Sequence, residues 1–200
     1  MKPKKNFWDH AASTCDDEAL KEAILAGYAL GKPWAPDDSR LTWPPGMRTI
    51  LDFGCGLGRN WGLLYKHAGC VIAFDRPAMM LRLLPQTLPL CVVAAPVLAS
   101  VPFVDLVYMS LVLQHMEAED ADAVWEQLPD HQYLIVHGRA RRDDDGGPTF
   151  DRVPKVRYHP LEIVECGERR YWIPPHDDAL RSDTSEKHFE VLYARRRDGD

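Results

Sequence analysis

Three glycines, Gly54, Gly56 and Gly58, fall within five positions directly after an apolar run, in the stretch ILDFGCGLGRN. Glycine lets the backbone turn sharply and approach a ligand without a clash at Cβ, so this spacing indicates a ligand-binding loop. A dinucleotide loop needs G-x-G-x-x-G, but Arg59 or Trp61, depending on the frame, stands where the third glycine is required. A P-loop also fails, because no Gly-Lys-Ser/Thr follows. A dinucleotide is therefore the weaker alternative.

Two acids flank this loop along the chain. Asp52 stands just before the glycines, and Asp75 follows the next apolar run, VIAF. A carboxylate accepts hydrogen bonds through two oxygens, so Asp75 can bind both hydroxyls of a ribose. An acid in this place also occurs in nicotinamide enzymes, and Asp75 alone does not discriminate between them. Together with the glycine spacing, it favours a nucleoside ligand that is not a dinucleotide.

The elements that position these residues alternate between strand and helix. Apolar runs predict strands at 48–53, 70–75, 90–95, 104–110 and 132–138, with helices at 58–69, 76–84 and 117–128. Two closing strands are predicted at 169–174 and 188–196, and a turn-rich loop at 139–155. Apolar strands that alternate with helices indicate a parallel sheet covered on both faces, so we expect an α/β fold.

The first 47 residues are expected to form a helical lead-in to a domain that spans residues 48–200. The stretch STCDDEALKEAILAGYALG has the apolar spacing of an amphipathic helix. Ser13 or Thr14 is its expected cap, acids fill its first turn, and Gly31 is expected to end it.

The stretch from Asp52 to Gly58 resembles the first motif of the class I S-adenosylmethionine-dependent methyltransferases, D/E-x-G-x-G-x-G. Asp75 with its continuation D-x-x-x-x-M-L, and the later stretch VDLVYMSLVLQHM, resemble further motifs of this family in the same order. The resemblance covers residues 48–138. It implies a single three-layer α/β/α Rossmann-like domain, with a mostly parallel sheet of about seven strands and an antiparallel last strand.

The resemblance also implies S-adenosylmethionine as the cofactor. Asp52 would attract the cationic amino-acid end, and backbone N–H groups near the helix start would suit its carboxylate. The family usually has an acid after the third strand for the adenine; this chain has none, so backbone groups and apolar contacts from Ala94 to Leu98 are expected instead. The implied cofactor-binding residues are Asp52, Gly54, Cys55, Gly56, Gly58, Asn60, Asp75, Arg76, Ala95 and Ser110.

Three residues near the ends of the fourth and fifth strands are candidates for catalysis: His115, Tyr108 and His137. Methyl transfer from a sulfonium is an in-line displacement, so the protein mainly positions the acceptor and, for some acceptors, removes a proton. Histidine ordinarily titrates near neutral pH, which suits a base, but packing at a helix start explains His115 better. Tyr108 fits core packing equally well, and His137 either contacts the acceptor or forms a solvated strand end.

Aromatic residues are frequent before the first strand, at Phe7, Trp8, Trp34 and Trp43. In the family this lead-in often folds over the cofactor, so these side chains can form the wall of an acceptor pocket. Ordinary packing under the N-terminal helix is the better explanation for at least two of them.

Composition and charge limit which cellular compartment and which binding partners we expect for the chain. The chain has 200 residues, 46% of them hydrophobic, and a formal charge of −6, which disfavours a nucleic-acid or membrane-surface partner. No apolar run approaches the roughly 20 residues that span a bilayer. Five cysteines without a CxxC pattern indicate reduced thiols in the cytoplasm. The histidines show no metal-ligand spacing, so we expect no metal.

The hypothesis that follows is a cytoplasmic methyltransferase that uses S-adenosylmethionine to methylate a small molecule. Neither the acceptor atom (nitrogen, oxygen or carbon) nor the oligomeric state follows from the sequence. Methylation of a protein side chain stays open, and so does a binding or regulatory module that kept the fold and lost the chemistry. Non-methylating chemistry with the same cofactor is a weaker option.

Overall fold

A computed structural model describes residues 16–26, 41, 43–75, 83, 92–95, 97–113, 116, 118–139, 153–154, 157–160, 182–184 and 187–196. The strands are β1 (Thr49–Phe53), β2 (Cys70–Phe74), β3 (Val92–Ala94), β4 (Val104–Ser110), β5 (His131–Arg139), β6 (Tyr158–Pro160), β7 (Ser182–Thr184) and β8 (Lys187–Arg196). The α-helices are α1 (Asp17–Ala26), α2 (Trp61–Leu64) and α3 (Ala118–Gln127), with a 3₁₀ helix at Leu98–Ser100.

The strands form one mixed sheet in the order β3-β2-β1-β4-β5-β8-β6, and the short strand β7 pairs with β8 beside this path. The first five strands of the path are parallel to one another. β8 runs antiparallel to both β5 and β6. The mostly parallel sheet and the antiparallel last strand of the chain confirm the fold class that the sequence predicts.

Each face of the sheet carries its own core, and the two cores make the three layers. One core packs Leu51, Phe53 and Val107 against Val124 and Trp125 of α3. The other packs strand residues that include Ile50 and Tyr108 against Trp61 and Leu64 of α2. Because side chains alternate along a strand, Asp52 lies on the same face as Ile50, which is the α2 face. The site described below is built on that face.

The side chain of Asp105 on β4 joins that strand to the start of β1. Oδ2 of Asp105 accepts hydrogen bonds from the N–H groups of Arg48 and Thr49, each at 2.8 Å, and from the Thr49 hydroxyl at 3.1 Å. This anchor joins the amino-terminal ends of the two strands, and their register then pairs Asp52 with Tyr108.

Two helix predictions needed correction. Oδ1 of Asp16 accepts a hydrogen bond from the N–H of Ala19 at 2.9 Å, so Asp16, rather than Ser13 or Thr14, caps α1. Of the helix predicted at 58–69, only Trp61–Leu64 is α-helical. The N–H groups that follow at positions 66 and 67 bond to carbonyls three residues back, which tightens the chain into a turn.

Several predicted elements lie outside the described residues. They include most of the helix at 76–84, most of the loop at 139–155, the strand at 169–174 and the predicted helix end at Gly31. Leu83, the described residue of the first of these, is buried. Within the described part of the chain, no helix has the length and apolar character needed to cross a membrane.

Candidate functional site

The loop between β1 and α2 requires glycine for more than one reason. Gly54, Gly56 and Gly58 have φ angles of 74°, 53° and 77°, a region that residues with a side chain rarely adopt. A Cβ on Gly54 would lie 2.4 Å from a methyl carbon of Val112, and one on Gly58 would lie 2.7 Å from the indole of Trp61. A Cβ on Gly56 would meet no described atom within 4 Å, so this side of the loop is accessible to a ligand.

The glycine loop is folded onto the end of β2. The N–H groups of Gly54 and Cys55 both donate to the carbonyl of Phe74, at 2.8 and 3.1 Å. The N–H of Gly56 donates to Oδ2 of Asp75 at 2.9 Å. The loop backbone therefore orients the Asp75 carboxylate at the carboxyl edge of the sheet. A carboxylate offers about four acceptor sites, so this contact is compatible with further hydrogen bonds from a ribose.

Asp52 is completely buried, and neither of its carboxylate oxygens has a hydrogen-bond partner among the described residues. Burial raises its pKa from 3.8 to about 7. The side chains of Asn60 and Trp61 and the positive charge of Arg59 lower the pKa of Asp52, but by less than burial raises it. The negative charge of Asp75 raises the pKa further. Asn60 and Trp61 thus face the carboxylate, but outside ordinary hydrogen-bond geometry. A buried carboxylate in this state is stabilised by a cation that approaches it.

Arg59 reaches from the glycine loop to the end of β4. Its Nη2 donates to the carbonyl oxygen of Ser110 at 3.1 Å and to the Ser110 hydroxyl at 3.2 Å. The N–H of the next residue, Leu111, donates to the carbonyl of His137 on β5 at 3.0 Å. Leu111 has a φ angle of 60°, which is strained for a leucine. The chain therefore turns sharply where β4 reaches the site.

Tyr108 and His137 lie side by side on the α2 face. Their ring centroids are 5.2 Å apart, and both residues are fully buried. Burial, assisted by the charge of Arg59, lowers the pKa of His137 from 6.5 to about 3, so its ring is neutral at physiological pH. Trp43 stacks at 6.1 Å from Tyr108 and at 4.2 Å from His67. The described part of the lead-in therefore contributes to an aromatic wall.

The expectation that His137 lies at a solvated strand end is wrong. β5 continues two residues beyond it, to Arg139, because Gly138 and Arg139 pair with Glu190 and Phe189 of β8. The strand end is therefore paired with β8, and the His137 ring, which packs beside Tyr108, has 0% exposure.

The predicted adenine region lies at the end of β3. Ala95 is buried, and its N–H donates to the carbonyl of Ala73 at 2.8 Å. Val97 is 57% exposed and Leu98 is buried. The stretch therefore offers an apolar surface next to a strand end, which suits one face of a flat ring.

The structure brings together most of the predicted site residues at the carboxyl edge of β1, β2 and β4. Cys55 is buried within the loop, and desolvation, followed by the charge of Asp52, raises the pKa of its thiol, so it is no nucleophile at neutral pH. In the described residues, no three metal-binding side chains form a group. Arg76 and His115 lie outside the described residues, as do the lead-in aromatics other than Trp43. Their roles stay predictions.

Sequence reasoning missed Arg59 as a site residue. In the sequence it counted only as the residue that breaks a dinucleotide pattern. Its place directly after the third glycine was the available signal, but the direction in which its side chain extends depends on the fold of the loop.

Comparison with known proteins identifies the fold. No protein-family model matches the sequence, and no curated protein matches it either. Among solved structures, a Sulfolobus solfataricus protein classed as a type 11 methyltransferase has 16% identity and a TM-score of 0.50, covering 76% of this chain and 85% of that one. The N-methyltransferase NodS from Bradyrhizobium japonicum WM9 has 15% identity and a TM-score of 0.48, covering 75% and 86%. The first likeness shows a Rossmann-like methyltransferase fold, as the sequence motifs predict.

Proposed function

From this methyltransferase fold, we propose that the protein is an S-adenosylmethionine-dependent methyltransferase acting on a small molecule. The observation that carries the proposal is Asp52, a buried carboxylate without a hydrogen-bond partner among the described residues, beside a loop whose Gly56 is open to a ligand. A ligand with a cationic amino-acid end would satisfy this carboxylate. S-adenosylmethionine bound there would supply both the methyl group and the leaving group.

The residues present fit the parts of this cofactor. Asp52 would pair with the ammonium group, and Asp75, oriented by the N–H of Gly56, would accept the ribose hydroxyls. The apolar stretch at Ala95 and Val97 would contact one face of the adenine. Each assignment uses a group that is already positioned by the fold, which lowers the entropic cost of binding.

The chain's own contribution to transfer would be mainly positional. His137, with a pKa lowered to about 3, is a weak proton acceptor at neutral pH. We therefore assign Tyr108 and His137 to the shape of the site rather than to proton removal, and His115 stays the candidate base. Burial of these rings also keeps water away from the transferring group, which favours transfer to an acceptor over hydrolysis.

A small acceptor is favoured by the charge of the chain. The formal charge of −6 opposes association with nucleic acid, and the aromatic pair Trp43 and Tyr108 gives the site an apolar wall. A protein side chain is the alternative acceptor. Incubation with labelled S-adenosylmethionine and separate extracts of small molecules and of proteins distinguishes the two by where the label accumulates.

The second candidate function is a catalytically silent module of the same fold. The absence of an acid after β3 favours it, because the adenine amino group then lacks its usual partner. Calorimetry with S-adenosylmethionine and S-adenosylhomocysteine tests cofactor binding. Absence of binding at millimolar ligand would contradict the enzyme proposal. Binding without release of S-adenosylhomocysteine in the presence of acceptor extracts would favour the silent module.

Asp75→Ala tests the ribose assignment. It removes an acceptor of charge-assisted hydrogen bonds, so we expect S-adenosylhomocysteine to bind at least about tenfold more weakly by calorimetry. Asp122→Ala, an exposed position on α3, is the matched control and should bind as the unaltered protein does. Unchanged affinity in Asp75→Ala would refute the assignment.

A further inference from the structure

The glycine loop uses most of its own backbone donors. Five N–H groups between positions 54 and 61 donate to acceptors within the protein, at 2.8 to 3.2 Å. They belong to Gly54, Cys55, Gly56, Gly58 and Trp61. The helix that follows has four residues, too few for an anion site at its amino end. These five groups are not free to bind a carboxylate beside the loop, so a donor from a side chain would strengthen its binding.

Arg59 is the side chain in the right place. It belongs to the loop, and its Nη2 donates to both the carbonyl and the hydroxyl of Ser110 at the end of β4. β4 lies between β1 and β5 in the sheet. From this central position the guanidinium charge lowers the pKa of Asp52 on β1 and the pKa of His137 on β5. Met109, the residue before Ser110, pairs with Phe53, the residue after Asp52. The two hydrogen bonds to Ser110 therefore hold Arg59 at the strand ends next to Asp52.

An α-amino acid carries its ammonium and carboxylate groups on neighbouring atoms. A receptor can bind both groups with an anionic and a cationic side chain placed close together, in surroundings dry enough for the pairing to be strong. Asp52 and Arg59 meet this description: one is a buried carboxylate, and the other is a partly buried guanidinium whose charge acts on it.

We propose that Arg59 binds the α-carboxylate of the cofactor while Asp52 binds its ammonium, so that the two residues select a zwitterionic amino-acid end. The proposal rests on the proposed function, because it concerns the same cofactor. It makes Arg59 a residue that determines cofactor specificity. It also assigns the two hydrogen bonds to Ser110 the task of orienting the guanidinium towards the ligand.

The test compares two ligands in two proteins. The ligands are S-adenosylhomocysteine and its decarboxylated analogue, which keeps the amine but lacks the carboxylate, and calorimetry gives both dissociation constants. The unaltered protein should bind S-adenosylhomocysteine about 10- to 100-fold more tightly than the analogue. Arg59→Gln should weaken S-adenosylhomocysteine by a similar factor and change binding of the analogue by less than about threefold. Arg48→Gln, exposed at the opposite end of β1, should change neither.

The possible outcomes distinguish a failure of the Arg59 proposal from a failure of the proposed function. If Arg59→Gln weakens both ligands equally, Arg59 acts through Ser110 and the loop, and the proposal is overturned. If the unaltered protein does not distinguish the ligands, the carboxylate is not recognised, and the proposal is again overturned although cofactor binding stands. If it binds neither ligand, the proposed function fails as well. Should Arg59→Gln not fold, Arg59→Lys keeps the charge but lacks the planar fork, and a selective loss for S-adenosylhomocysteine is still expected.

Discussion

The substitution Asp52→Asn tests the electrostatic state of the site without any ligand. Asparagine has nearly the same shape as aspartate and does not ionise in the relevant range. The Asp52 carboxyl has 0% exposure, and desolvation raises its pKa from 3.8 to about 7 against the opposing effect of Asn60 and Arg59. In the unfolded chain the same group ionises near its ordinary value. Folding at neutral pH therefore requires either a proton on Asp52 or a buried charge.

The magnitude and its sign follow from the two pKa values. Between pH 4 and 7 the folded protein binds more protons at Asp52 than the unfolded chain does, so this group makes stability fall as pH rises. A difference of about three pKa units, at 1.36 kcal/mol each, amounts to about 4 kcal/mol above pH 7. The same relation gives about 2 kcal/mol at pH 5 and almost nothing below pH 4. Asp52→Asn should therefore stabilise the protein by amounts that grow with pH over this range.

Urea unfolding at pH 5, 6, 7 and 8 measures the effect, taken as the difference in unfolding free energy between variant and unaltered protein at each pH. This difference cancels the titration of the buried histidines, which both proteins share. Asp122→Asn, the same change on the exposed surface of α3, should change the unfolding free energy only slightly. A difference for Asp52→Asn that stays flat from pH 5 to 8, or decreases, would refute the description of Asp52 as a buried acid with a raised pKa. A more stable Asp52→Asn that binds S-adenosylhomocysteine poorly would show that stability is given up here for binding.

Two further predictions concern the loop and the far end of the sheet. Gly46 and Gly54 share a φ angle of 74°, but only at Gly54 would a Cβ meet another side chain, that of Val112 at 2.4 Å. Gly46→Ala should lower the free energy of unfolding in urea by about 1 kcal/mol, and Gly54→Ala should lower it by about 1–3 kcal/mol more. Adding Val112→Ala to Gly54→Ala should restore part of this loss. Equal losses for the two glycine variants would contradict the steric reasoning. The buried ring of His131 bonds to the Tyr158 hydroxyl at 2.8 Å, and burial lowers its pKa from 6.5 to about 4. The contribution of the neutral His131 ring to the free energy of unfolding is complete above pH 6.5 and is lost as pH falls towards 4, by up to about 3 kcal/mol. His131→Gln should therefore be less stable than the unaltered protein at pH 7 but should lose less stability on acidification. An acid dependence identical to that of the unaltered protein would exclude this role.

The parallel strands β1 to β5 were predictable because their signal is local. The run VDLVYMS predicts a buried strand from its own composition, and the structure has a strand at those residues, 104–110. Helix ends were less predictable, because caps compete over a few residues. Ser13, Thr14 and Asp16 all have side chains that can cap, and in the structure Asp16 does so.

Part of the site was predictable for a related reason. Gly54, Gly56, Gly58 and Asp52 are neighbours in the chain, so their spacing shows in the sequence that a ligand loop ends β1. Arg59 was not predictable as a site residue, because its partner Ser110 is 51 residues away and the contact exists only after β4 has paired with β1. The state of His137 was hidden as well, since its ring is buried beside Tyr108, which lies on the neighbouring strand β4.

By itself, therefore, the sequence determined the order of the parallel strands β1 to β5, the glycine loop and the acids at two strand ends, because each depends on residues close together along the chain. The tertiary structure decided the chemistry of those residues. It buried Asp52 without a hydrogen-bond partner among the described residues, brought Arg59 to Ser110, and removed solvent from His137. Desolvation and charge proximity are properties of positions in space, and no pattern along a single chain specifies them.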